Sequence, residues 1–125
     1  MRVSLNQLKS LLQGNVVEVK FARRIPKPGK PANRRMFCTN SYTLLNSSEG
    51  RITLNYTPPK KAPKYNPDTK NLIITWDVFM QGYRTISVES CELISLIPAN
   101  ELFWEYFREN LTTMSPPQKI GFMDV

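Results

Sequence analysis

Proline sets the first limit on what this chain can fold into. Seven of its ten prolines fall in two segments, Ile-Pro-Lys-Pro-Gly-Lys-Pro-Ala-Asn at 25–33 and Thr-Pro-Pro-Lys-Lys-Ala-Pro-Lys-Tyr-Asn-Pro-Asp-Thr-Lys at 57–70. Proline has no amide hydrogen to give to a sheet ladder, and it breaks a helix interior. Both segments are therefore expected to be loops. Any sheet must be assembled from the stretches around them.

Those stretches carry clear periods. Ser4 and Gln7 form a capping-box pattern, Leu5, Leu8, Leu11 and Leu12 recur at helical spacing, and Gly14 suits the residue after the last turn. This predicts a helix over 5–13. From Val16 the period becomes two, with Val17, Val19 and Phe21 alternating with Glu18 and Lys20, the mark of a half-buried strand. Residues 34–40 resume a strand, so these two strands form a hairpin across a long basic loop. Residues 46–50 read as a turn, and the alternating Arg51–Tyr56 as a candidate short strand. Leu72 to Trp76 is the best core strand. A turn at Gln81-Gly82, an alternating run over Tyr83–Val88 and a last strand over Cys91–Ile97, stopped by Pro98, complete a meander. Asn100 is placed to cap a helix to about residue 110, with Leu102, Phe103, Tyr106 and Phe107 as its apolar stripe.

The expected fold class is mainly β: a small antiparallel SH3/Sm-like barrel of five to six strands, with a short N-terminal helix and a C-terminal helix. Residues 1–111 make one domain, which is ample to bury a core in a chain of 125 residues. Residues 112–125 are a tail whose Ile120, Phe122, Met123 and Val125 either dock on the domain or act as a short linear motif.

Composition narrows the chemistry. The chain has no histidine, which removes Ser-His-Asp and Cys-His nucleophile activation and the commonest metal ligand. Its two cysteines, Cys38 and Cys91, cannot make a tetrahedral zinc site alone and are expected to be buried thiols. Glu89 and Glu92 are spaced to face opposite ways on a strand, so they form no acid–base pair. The expectation is no enzyme, no metal and no cofactor. No apolar run is long enough to span a membrane, and no secretory signal opens the chain, so a cytoplasmic protein is expected.

The charge is unevenly spread. Residues 20–70 hold twelve Lys/Arg against two acids, whereas residues 71–125 hold three bases against seven acids. Such a field draws anions to one part of the chain. The candidate nucleic-acid-binding residues are Arg23, Arg24, Lys27, Lys30, Arg34 and Arg35 around the first loop, and Tyr56, Lys60, Lys61, Lys64 and Tyr65 around the second, with Arg84 on the later hairpin. Lys and Arg neutralise phosphates and release counterions, and flanking tyrosines stack on unpaired bases. Trp76 is expected in the core, or else to form a cation–π face with Arg84. Asp77 is the expected ion-pair partner of Arg84.

Four segments carry a resemblance. Leu11-Leu12-x-Gly14 precedes the first strand, Val17-x-Val19-x-Phe21 lies within it, and Arg35-Met36-x-Cys38-Thr39 forms the second. Ile74-x-Trp76-Asp77-Val78 with Tyr83-Arg84-x-Ile86-x-Val88 forms the last hairpin. Together they resemble the small WYL-like domains with an Sm-like, SH3-type barrel that occur largely in bacteriophages, over roughly residues 8–97. The resemblance implies a phage-type protein of the infected bacterial cytoplasm. The expected partner is nucleic acid, single-stranded DNA or RNA in preference to duplex, because no recognition helix carries the bases. The alternative is a phage effector that binds a host protein with an acidic surface, in transcription or defence machinery, without catalysis. A homo-oligomer fits either.

Overall fold

The computed structural model describes residues 2–22, 28–29, 32–59, 66–100 and 103–105. Helix α1 spans Leu5–Gly14. Its capping box is complete: Ser4 Oγ accepts the Gln7 N–H at 3.2 Å, and Gln7 Oε1 accepts the Ser4 N–H at 2.9 Å. Leu8 and Leu12 on its inner face are fully buried. Five strands follow: β1 (Asn15–Ala22), β2 (Asn33–Thr39), β3 (Leu72–Asp77), β4 (Gly82–Ser87) and β5 (Glu92–Pro98). They match the periods read above to within two residues.

Two short helices, α2 (Tyr42–Leu45) and α3 (Ser48–Thr53), replace the expected turn and candidate strand between 46 and 56. Serine caps decide this. Ser41 Oγ accepts the Leu44 N–H and Ser47 Oγ accepts the Gly50 N–H, satisfying amides that a helix start leaves open. Ile52, whose β-branched character suggests a strand, is 82% exposed. Gly50 lets α3 close on α2: a Cβ there would sit 2.2 Å from the Leu44 carbonyl oxygen and 2.6 Å from that of Leu45. The second proline-rich segment also ends in order, as a 3-10 turn over Pro67–Lys70 started by Asn66 and closed by Asn71 at φ 55°.

The sheet is antiparallel with order β4-β3-β2-β1-β5. It is not closed into a barrel. β5 returns to pair with β1, so its other edge and the outer edge of β4 have no ladder partner among the described residues. The sheet is nonetheless curled, since β4 approaches β1 across two intervening strands. The domain is thus a mixed α/β arrangement of an open five-stranded sheet with an N-terminal helix.

Registers assign the faces. One carries Val17, Val19, Met36, Cys38, Ile73, Thr75, Asp77 and Ile86, all buried. The other carries Val16, Phe37, Thr39, Trp76 and Tyr83. Thr39 Oγ1 donates to the Asn15 carbonyl at 2.8 Å, and the Asn40 N–H to that of Leu12 at 2.9 Å, tying the end of α1 to β2. Each large apolar side chain buried this way contributes about 1.5–3 kcal/mol.

Residues 103–105 are helical, and Phe103 and Trp104 are buried edge to face. The rest of the expected C-terminal helix and the tail at 112–125 lie outside the described residues. Among the described residues, no helix is long and apolar enough to cross a membrane.

Candidate nucleic-acid interface

Eight of the twelve candidate residues, Arg23, Arg24, Lys27, Lys30, Lys60, Lys61, Lys64 and Tyr65, lie outside the described residues. The structure does describe where their loops are rooted. The first leaves β1 after Ala22 and enters β2 at Asn33, residues paired across the ladder. The second follows Tyr56, whose hydroxyl is 2.7 Å from that of Tyr83 near the start of β4. Gln81 Nε2 donates to the Thr53 carbonyl at 3.1 Å, holding the end of α3 against the β3–β4 turn. β2 and β3 are antiparallel, so the N-terminal end of β2 and the C-terminal end of β3 point the same way. The ladder pairs Cys38 with Asp77 and Thr39 with Trp76, so Asn33, where the first loop ends, stands five residues along β2 from the end of β3, and the Arg34 side chain reaches back to Asp77.

The four described candidates have distinct roles. Arg34 and Arg35 face opposite sides of β2. Arg34 Nη2 lies 2.6 Å from Asp77 Oδ2. Arg35 Nη1 is 3.6 Å from Glu18 Oε2, and the other oxygen of Glu18 accepts from Ser95 at 2.8 Å. Both arginines are thus engaged with carboxylates. Tyr56 is buried, packed edge to face on Trp76 and Tyr83 at ring distances of 5.0 and 6.1 Å. It belongs to the core and is not available to stack on a base. Trp76 is likewise core, 4% exposed, as expected.

Two expected pairings around Arg84 are corrected. Trp76 is opposite Tyr83, and Arg84 is opposite Thr75, so the tryptophan and the arginine are on opposite faces and form no cation–π pair. Asp77 is held by Arg34, not directly by Arg84. Its Oδ1 accepts the N–H groups of Phe79 at 3.1 Å and Met80 at 3.0 Å. Burial raises the Asp77 carboxyl above the ordinary range, and these hydrogen bonds, Arg34 and then Arg84 oppose the rise. Arg84 itself is half-buried and donates from Nη1 to the Tyr83 carbonyl at 2.9 Å.

Cys38 and Cys91 are free, buried thiols. Burial pushes Cys38 well above the usual thiol range and Cys91 up to about 11. Among the described residues, no group of three or more Cys, Asp or Glu could hold a metal ion. An open groove of about 490 Å³ beside α2 and α3 is lined by residues that include Thr43, Leu44, Ser47, Glu49 and Trp104. None of its lining residues is a Lys or Arg. Compared with known proteins, the chain matches no family model, no curated protein and no solved structure.

Proposed function

We propose that this domain binds single-stranded nucleic acid through its two basic, proline-rich loops. The observation that carries the reading is the concentration of charge in and around them, twelve Lys/Arg against two acids over residues 20–70. In this reading bases far apart in sequence, Lys27 and Lys30 in one loop and Lys60, Lys61 and Lys64 in the other, act together on one strand. Proline-rich sequence favours extended chain in general, a form suited to tracking a phosphate backbone. No described helix presents a row of bases to a major groove, which favours single strands over duplex. The strand order, with β5 returning beside β1, supports kinship with the SH3/Sm-type barrels of phage WYL-like domains in an opened form.

The test is binding of labelled single-stranded DNA, single-stranded RNA and duplex over a salt series. The reading expects single strands to bind tighter, with affinity falling steeply as salt rises. Absence of binding at low salt would remove it and leave the host-protein alternative. A partner with an acidic surface, captured from nuclease-treated lysate, would then support that alternative.

A further inference from the structure

We propose that Arg84 and Gly82 form a fixed phosphate-binding subsite at the start of β4. Asp77, Arg34 and Arg84 share one face of the sheet, and both oxygens of Asp77 are already occupied by Arg34 and two backbone amides. Arg34 is bonded to the carboxylate, and the Arg84 guanidinium acts on it only through space. Arg84 makes one side-chain hydrogen bond among the described residues, to a neutral carbonyl. A guanidinium offers five donors, so most of those on Arg84 have no protein acceptor among the described residues.

Gly82 fixes the geometry. A Cβ at this position would stand 2.9 Å from Arg84 Nη1 and 3.8 Å from Cζ, so the guanidinium lies across the bare backbone of Gly82. The Tyr83 carbonyl holds one N–H, leaving the others for a ligand. β4 is an edge strand, with no ladder partner outside it among the described residues. A planar fork laid over a backbone without a side chain matches the oxygens of a phosphate. The inference rests on the nucleic-acid reading only for the source of that phosphate. A phosphodiester of a bound strand and a free phosphate offer the same chemistry.

The experiment follows the Arg84 side-chain N–H signal by NMR in the full chain. Inorganic phosphate is titrated first, then a single-stranded oligonucleotide, for the wild type, Arg84→Gln and Gly82→Ala. Gly82→Ala keeps the charge but displaces the fork, so it separates a built site from general attraction. The expected result is an Arg84 shift with phosphate that Gly82→Ala abolishes. Oligonucleotide affinity is expected to fall about tenfold in both variants, the size of one charge-assisted hydrogen bond. Phosphate binding at Arg84 without oligonucleotide binding would support the subsite for free phosphate and overturn the nucleic-acid reading. Oligonucleotide binding that neither variant weakens, with Arg84 unmoved by phosphate, would overturn the subsite alone. Binding of neither would overturn both. If Arg84→Gln unfolds, a folded Gly82→Ala that binds like the wild type still overturns the subsite.

Discussion

Arg34 Nη2 lies 2.6 Å from Oδ2 of Asp77, a fully buried carboxylate forty-three residues further along the chain. The pair joins the N-terminal end of β2 to the end of β3 beyond the two residue pairs of their ladder. Removing one member of such a pair strands the other. Asp77→Ala also leaves the Phe79 and Met80 amides without their acceptor. The expected cost is about 3–5 kcal/mol by urea unfolding. Asp77→Asn, which keeps an acceptor for those amides, is expected to cost less. A loss under about 1 kcal/mol for Asp77→Ala would show that the pair does not hold the strands.

Tyr56 and Tyr83 are linked hydroxyl to hydroxyl at 2.7 Å. Either single Tyr→Phe change is expected to cost about 1 kcal/mol, and the double change little more than one alone, because both remove one bond. Strictly additive losses in a double-mutant cycle would contradict the bond.

The thiols give a pH dependence. Cys91 rises from 9.0 to about 11 on folding, because burial disfavours the thiolate. The folded state therefore holds the proton more tightly than the unfolded state. This contribution to stability is complete below about pH 9 and is lost as pH rises from there through about 11. Unfolding free energies measured across that window are expected to fall less steeply for Cys91→Ala. At pH 8, both thiols are expected to react with a thiol reagent only after denaturant is added. Fast labelling of the native protein would contradict their burial.

Glycine substitutions separate packing from function. Gly50→Ala pushes a methyl group into the Leu44 and Leu45 carbonyls, rigid backbone atoms, and is expected to cost about 1–3 kcal/mol. Gly82→Ala meets only the movable end of Arg84 and is expected to leave the melting temperature nearly unchanged. A Gly50→Ala variant as stable as the wild type would contradict the close approach of α3 to α2.

Where side-chain period and local caps agreed, the sequence was legible. The capping box at Ser4 and the alternation of Val17, Val19 and Phe21 placed α1 and β1, and the apolar run at Leu72–Trp76 placed β3 and the core position of Trp76. It misled where apolar character did not mean burial: exposed Ile52 made a strand of what Ser47 caps as a helix. Closure of the sheet depends on which edge β5 pairs with, and no local pattern encodes that choice. Register was the other hidden quantity. A one-residue offset puts Arg84 opposite Thr75 and Trp76 opposite Tyr83, which separates the expected cation–π pair. The Arg34–Asp77 pair spans too much chain for spacing to reveal it. Tyr56, read as flanking a loop, could only be recognised as core once its contact with Trp76 was seen.

The central claim is that two loops distant in sequence form one binding face. It is tested by the salt dependence of single-stranded oligonucleotide binding for three variants: Lys27→Ala/Lys30→Ala, Lys60→Ala/Lys61→Ala/Lys64→Ala, and all five changes together. Each set is expected to leave folding stability nearly unchanged and to lower the slope of log affinity against log salt by nearly one per lost phosphate contact, with the combined set losing the sum. Unchanged affinity and slope in either partial set would show that its loop takes no part in binding, and the claim of one shared face would fail.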